Sequence, residues 1–529
     1  MSLPEGIEKW AIEEWENVHR NFKARFKKNT SFSLKNPSSV SKSADKYKLT
    51  TKNFQWLIQF GIDNNIQLRA MGNGWSFTEI AIPDGGVINT KSLRLSFNLK
   101  DNFVADAYRN AGGKAGDLFL AQCGMSVFQL HNKLEKESNP KRSLKACGAS
   151  NGQSIVGAMS TGTHGAAFGV GAIQDSVAGL HIVTGPNRHV WIERASYPVV
   201  SNEFIDWLGA ELIRNDDVFD AALVSFGSFG FIHGVLIETE PLFLLEEHRT
   251  DQIAYNDAIK SAINTLDFSS VANVLPLPPG DPAKQLYHFE VVINPHRFEP
   301  DNAAKGIFFK TMYKLPYTND YVRRTTDDNG FTYGDDLLGV IQTVLDSLGG
   351  LAVSVVPSLV NTMFPLAFKA TEAATGTLGE TFINTKFRGK VASAAIAIDV
   401  SNASKVVEEI IAINKTTPFA GGLSLRFVKG TKALLGFTRF EKTCVLEMDG
   451  VDSKVSRDFY QTVWNRLEAL NIPYCLHWGK INFNLNAQRV RNMYGNENVD
   501  KWIASRNQLL DAASRKVFTN KFSQTCGLA

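Results

Sequence analysis

Two glycine-rich stretches carry the residues whose types and spacing could do chemistry: LRAMGNGWSFTEIA at Leu68–Ala81 and SNGQSIVGAMSTGTHG at Ser150–Gly165, followed by SFGSFGFIHGV from Ser225. Glycine lets a backbone approach a ligand closely, and consecutive N–H groups then form a nest for an anion without any lysine. Two such loops converging on one polyphosphate make chemical sense. Other nucleotide signatures fail. GGVINTKS at Gly85–Ser92 has the Lys-Ser pair of a P-loop, but Thr90 stands where the phosphate cradle needs its second glycine. No G-x-G-x-x-G opens a helix after a strand, so a dinucleotide site of Rossmann type is unsupported. The sequence has no H-E-x-x-H or metal-spaced histidine cluster, which removes zinc hydrolases.

The elements that must position these loops read in two blocks. From about Lys46 a helix, a short strand and the first loop follow one another, and strands and a helix at short spacing continue to Glu137. Residues 143–192 are rich in small and turn-forming types, which predicts backbone exposed to a ligand rather than regular packed elements. Beyond residue 245, long β-like runs (QLYHFEVVINP, KVASAAIAIDV, GGLSLRFV, TCVLEMDG) alternate with helices. This predicts an α+β chain with a large antiparallel sheet in its second half. The expected divisions are 1–38, 39–245, 246–475 and 476–529.

The bulk properties set outer limits. A chain of 529 residues exceeds one core, and 44% hydrophobic with 21% charged residues is ordinary for a globular protein. A net charge of +3 gives no ground for nucleic acid or a membrane surface as partner. Cys123, Cys147, Cys444, Cys475 and Cys526 form no C-x-x-C pair, as expected of reduced thiols in a cytoplasmic protein. Charges run through the first 26 residues, so no export signal is expected there. Trp10, Trp15, Val18, Phe22 and Phe26 recur at three to five residue spacing, which predicts an amphipathic helix packed on the body of the protein. The uncharged run Ser347–Phe368 is interrupted by glycine, proline and asparagine. It is expected to form a buried helical pair or an apolar lid, not a membrane span.

The three loops, in this order and spacing, resemble the FAD-binding PCMH-type domain of the vanillyl-alcohol oxidase superfamily over roughly residues 40–245. LSLRFV, CLHWGKINF and VFTN further on resemble the aldonolactone and alditol oxidase branch, which is similar to the covalent-flavin type of cholesterol oxidase. The resemblance implies a two-subdomain FAD domain plus a substrate domain on a large antiparallel sheet flanked by helices. It also implies oxidation of a CH–OH carbon by hydride transfer to flavin N5, with O2 or another acceptor taking the electrons. It assigns Arg69, Gly72, Asn73, Gly74, Trp75 and Ser76 to the first FAD loop. Gly148, Gly152, Gln153, Ser154 and Gly157, then Ser160, Thr161, Thr163, His164 and Gly165, belong to the second. Gly230 and Ile232 fall on the adenine side. Ser154, Arg426 and Lys480 match catalytic positions of the branch, and a fixed cation there would stabilise the negative charge of a reduced flavin. His477 is either a base or a structural partner.

Two departures stand out. Where covalent members carry the flavin-linking histidine this chain has Trp75, so FAD is expected to bind without that bond. Where the branch has the glutamate of Glu-x-Arg it has Ser424, which tilts the expectation toward a less polar, sterol-like alcohol over a polyol or sugar lactone. A flavin-binding protein with lost catalysis is the alternative.

Overall fold

In the computed structural model, residues 3–276, 284–324, 352–367, 371–383 and 391–529 are described. The N-terminal segment begins with β1 (Ile7–Lys9), followed by a hairpin of β2 (Glu14–Glu16) and β3 (Lys23–Arg25). It is not the amphipathic helix that the aromatic spacing predicts. Phe22, Ala24 and Phe26 alternate with Lys23 and Arg25, a period of two that suits a half-buried strand. Trp15 pairs with Ala24 across the hairpin, and Glu14 meets Lys23 at 3.0 Å.

The chain then builds a small sheet in the order β1-β4-β6-β5, from β4 (Phe32–Leu34), β5 (Leu68–Met71) and β6 (Gly86–Asn89), with α1 (Ser43–Asp63) crossing between β4 and β5. A six-stranded sheet follows. It comprises β7 (Ser96–Asn98), β8 (Leu118–Gln122), β9 (Val177–Gly185), β10 (Arg188–Glu193), β11 (Glu211–Arg214) and β12 (Phe231–Glu238), in the order β11-β10-β9-β12-β8-β7. Residues 177–193 are therefore strands in mid-sheet, buried along most of their length, and not ligand-exposed backbone as their composition predicts. Cross-strand partners replace the side-chain bulk that their small residues lack. The stretch around 148–165, which includes α2 (Ile155–Thr161), lines a cavity.

The second half forms one eight-stranded sheet: β13 (Phe243–Ile253), β14 (Gln285–Ile293), β15 (Ile307–Pro316), β16 (Thr371–Gly376), β17 (Val391–Asp399), β18 (Gly421–Lys429), β19 (Lys442–Val451) and β20 (Tyr474–Leu476). Its order is β16-β13-β15-β14-β18-β19-β17-β20, and every printed pairing is antiparallel. Helix α3 (Ala352–Ala367) packs Val360 and Phe364 with Val292, Ala420 and Val451, in a small apolar cluster of its own. Its 16 residues account for most of the uncharged run; the residues just before and after it lie outside those described. No helix among the described residues is long and apolar enough to cross a membrane. The last segment returns to the first half: Trp502 donates to Val224 O (3.0 Å), and Asn520 donates to Ile80 O and Ile82 O (both 3.0 Å).

Candidate active site

A cavity of about 380 Å³ lies between the glycine loops and one face of the eight-stranded sheet. Strand register decides which side chains reach it. Arg249 on β13 sits opposite Lys310 on β15, Lys310 opposite Glu290 on β14, and Glu290 opposite Arg426 on β18. Directly opposed residues share a face of a sheet, so these four charges form a row across four strands, and all four line the cavity. One strand further, Glu447 on β19 lies opposite Ser424 and Asp449 opposite Gly422.

These groups form a buried ion network. Glu447 accepts from Arg426 Nη1 at 2.9 Å and from Lys480 Nζ at 2.7 Å, and His164 Nε2 stands 3.6 Å away. Glu290 takes Arg426 Nε at 3.0 Å and His288 Nε2 at 3.4 Å. Burial alone would raise both glutamates, but Arg426 with Lys480 holds Glu447, and Arg426 with His288 holds Glu290, well below the usual carboxylate range. Burial disfavours the Arg426 charge, yet Glu290 and Glu447 outweigh it and keep the guanidinium charged. Asp449 differs: burial and the neighbouring Glu447 raise it, although Lys480 lies 3.8 Å away and the Ser393 hydroxyl donates to it. About 39% of its side chain is open to the cavity.

Two of the cavity histidines, His164 and His477, play different parts. His477 Nδ1 accepts from the Gly479 N–H at 3.0 Å, and a backbone hydrogen bond to Gly162 occupies the ring further. That leaves no lone pair for a substrate, so its geometry is that of a structural partner. His164 Nδ1 lies 3.0 Å from Gly165 O, which fixes the proton on Nδ1 and leaves Nε2 as the basic atom. Burial lowers His164 to about 4, so it is neutral near pH 7.

On the opposite wall the three loops meet as the motifs predict. Gly72, Asn73, Gly74, Trp75 and Ser76 line the cavity together with Gly148, Gln153, Ser154, Gly157, Ser160, Thr161, Thr163, His164 and Gly165, and Gly230 and Ile232 join them from the third loop. Ser154 Oγ caps α2 by accepting from the Gly157 N–H (3.3 Å). Gly230 has φ +114, and a Cβ there would lie 2.4 Å from Val183 O, so only glycine serves. Phe77 N donates to Gly479 O (2.8 Å), tying the first loop to the one that carries Lys480.

Two assigned residues stand elsewhere. Arg69 is wholly buried behind Ala70 and beside Gly227 and does not reach the cavity, because the pleat of β5 turns it to the opposite face from Ala70. Burial and Arg506 lower it to about 9, and its three nitrogens make no hydrogen bond among the described residues. Gly152 lies under the Trp75 indole, and its carbonyl accepts from Asn73 Nδ2 at 2.5 Å.

Glu290, Glu447, Asp449 and Lys310 escape sequence reading. The only signal for the three acids was the alternation in YHFEVV and CVLEMDG, which marks a strand face but not what lies across it. The residues present fit a nucleotide cofactor. Ser160 Oγ and Gln153 Oε1 are buried at the cavity wall without a hydrogen bond among the described residues, as a polar ligand would leave them.

No family model matches the chain. The L-gulono-1,4-lactone dehydrogenase of Mycobacterium tuberculosis is 31% identical over 186 residues, 35% of this chain and 34% of that protein. The D-arabinono-1,4-lactone oxidase of Candida glabrata is 25% identical over 179 residues, 34% of this chain and 28% of that one. The match thus spans about a third of the length of these relatives. Among solved structures, a solvent-stable cholesterol oxidase superposes with a TM-score of 0.66 at 15% identity over 99% of both chains. Cholesterol oxidase from B. sterolicum gives 0.64 at 13% over 99% of both. The chain has the cholesterol oxidase fold, and the resemblance read from the loops is borne out by both sets of relatives.

Proposed function

We propose that this chain is an FAD-dependent oxidoreductase that oxidises the CH–OH carbon of a small polar alcohol, with O2 or another acceptor taking the electrons. The observation that carries this reading is the Arg426–Glu447–Lys480 network facing the glycine loops across one cavity. When bound, FAD supplies the two-electron hydride acceptor. Lys480 and Arg426 provide fixed positive charge beside the reacting centre. Alcohol oxidation also releases the hydroxyl proton, and His164 Nε2 takes it, the new imidazolium being stabilised by Glu447 at 3.6 Å.

The substrate is read as polar because Glu447 and Asp449 stand opposite Ser424 and Gly422 and supply the carboxylates that Ser424 does not. The lactone substrates in the names of the sequence relatives agree with this. A second reading, an apolar or sterol-like alcohol, draws on the apolar α3 cluster at one end of the sheet and on the cholesterol oxidases of like fold. FAD is held without a histidyl bond, as Trp75 suggests, and five free, buried thiols support a cytoplasmic location.

An alcohol panel followed by anaerobic flavin bleaching tests the reading. A polyol or sugar lactone is expected to bleach the flavin faster than a sterol, and the reverse order selects the second reading. Bleaching by none of them favours a flavin-binding protein without catalysis. Readmission of air then separates an oxidase, whose colour returns within seconds, from a dehydrogenase.

A further inference from the structure

The hairpin of residues 10–26 is more than packing. Trp15, His19 and Phe22 line the same cavity as the glycine loops. His19 is buried, stacks on Phe77 (centroids 4.0 Å, planes 4° apart) and meets Trp75 edge-on at 5.4 Å. The Trp15 ring lies so close to Gly74 that a Cβ there would come within 2.6 Å of it. Val18 N donates to Gly74 O (3.0 Å) and Asn17 Nδ2 to Ser76 O (3.0 Å), which fasten the hairpin to the first loop. On its other side Asn21 Nδ2 donates to Val391 O (2.7 Å) and to Asp452 Oδ2 (2.8 Å), in the sheet half of the molecule. The hairpin thus spans the cavity wall from one half to the other. It does so at the loop position where Trp75 replaces a covalent anchor, and the Trp75 indole itself covers Gly152 of the second loop.

We propose that residues 10–26 are a clasp that retains FAD, with Trp15, His19 and Trp75 as its closing aromatic wall and Asn17 and Asn21 as its fastenings. The proposal rests on the FAD reading above. Escape of the cofactor on this side requires the clasp to lift, which breaks the hydrogen bonds on both flanks together. The clasp acts on the rate of cofactor loss, and so lowers Kd without a bond to the flavin.

The test compares wild type with the double variant His19→Ala, Asn21→Ala, each stripped of flavin and titrated with FAD by equilibrium dialysis. Circular dichroism and the melting temperature of the apoprotein check the fold. The clasp predicts at least a tenfold higher Kd in the variant and loss of yellow colour on gel filtration that wild type survives. An unchanged Kd in a folded variant overturns the clasp and leaves the FAD reading standing. Wild type that binds no FAD overturns both. Flavin left in the acid-precipitated wild-type pellet overturns the clasp, because a covalent bond would then hold the cofactor. Should the variant not fold, amide exchange in wild type decides: residues 14–26 are expected to gain protection on adding FAD, and unchanged protection overturns the clasp.

Discussion

At the scale of single residues, Glu447 is the group on which the site balances. It is buried and neutralises two cations at once, Arg426 and Lys480. Removing one partner of a buried ion pair leaves uncompensated charge, which costs about 3–5 kcal/mol. Glu447→Gln is therefore expected to lower stability by about that amount in a denaturant titration; a loss under about 1 kcal/mol would show that the network is not held by charge. Lys480→Met removes the cation nearest the free face of Asp449, and flavin reduction should slow by about 10²–10³-fold while FAD binding stays close to normal. Unchanged reduction would show that Lys480 takes no part in the step. Arg426 and Lys480 were legible because each belongs to a local motif, whereas Glu447 was not, because its meaning comes from Ser424 across the strand pair.

Among the elements, the decisive object is the sheet face. Arg249, Lys310, Glu290 and Arg426 come from four separate segments, and antiparallel register alone aligns them. Sequence periodicity recovered β14, β17, β18 and β19, since each is a long run rich in β-branched or aromatic residues. It gave no sign that β13 and β15 bring Arg249 and Lys310 to the cavity, since the charges along these strands resemble a solvated surface. The N-terminal hairpin is the opposite case: aromatic residues fit a helical spacing, yet alternation in NFKARF was the stronger pattern. The loop before β12 offers an element-scale prediction. Gly230→Ala forces a Cβ to 2.4 Å from Val183 O at φ +114, so it should destabilise by more than about 1 kcal/mol and loosen this end of the cavity. A melting temperature equal to wild type would count against that strain.

For the whole molecule, buried titratable groups set the response to acid. Burial lowers His19 to about 3 and His164 and His296 to about 4, against an ordinary value of 6.5. The unfolded chain therefore takes up protons first as pH falls. Their contribution is complete above about pH 6.5 and is lost progressively down to about pH 3–4. Glu135, held at about 2 by His131, Thr377 and Gly379 against the cost of its burial, adds a further loss below its ordinary 4.5. Asp175 opposes them: burial raises it to about 6, so it favours the fold as pH falls below that value. The depressed histidines, among them His181, His233, His288 and His477, outnumber the carboxyls that burial raises (Asp175, Asp220, Asp449 and Glu193), and the melting temperature is expected to be lower at about pH 5 than at about pH 7.5. Equal or higher stability at the lower pH would contradict this balance.

The sequence by itself determined the glycine loops, the tryptophan at position 75, and an α+β fold with a large antiparallel sheet. All three depend on local chemistry: the missing Cβ, the identity of one side chain, and the period of an apolar pattern. Only the tertiary structure decided that Arg69 turns away from the cavity, that His477 is held by backbone, that Glu447 and Asp449 stand opposite Ser424 and Gly422, and that the N-terminal hairpin closes over Trp75. Each of these depends on which residue lies across from which, and strand register is settled by contacts between segments far apart in the chain.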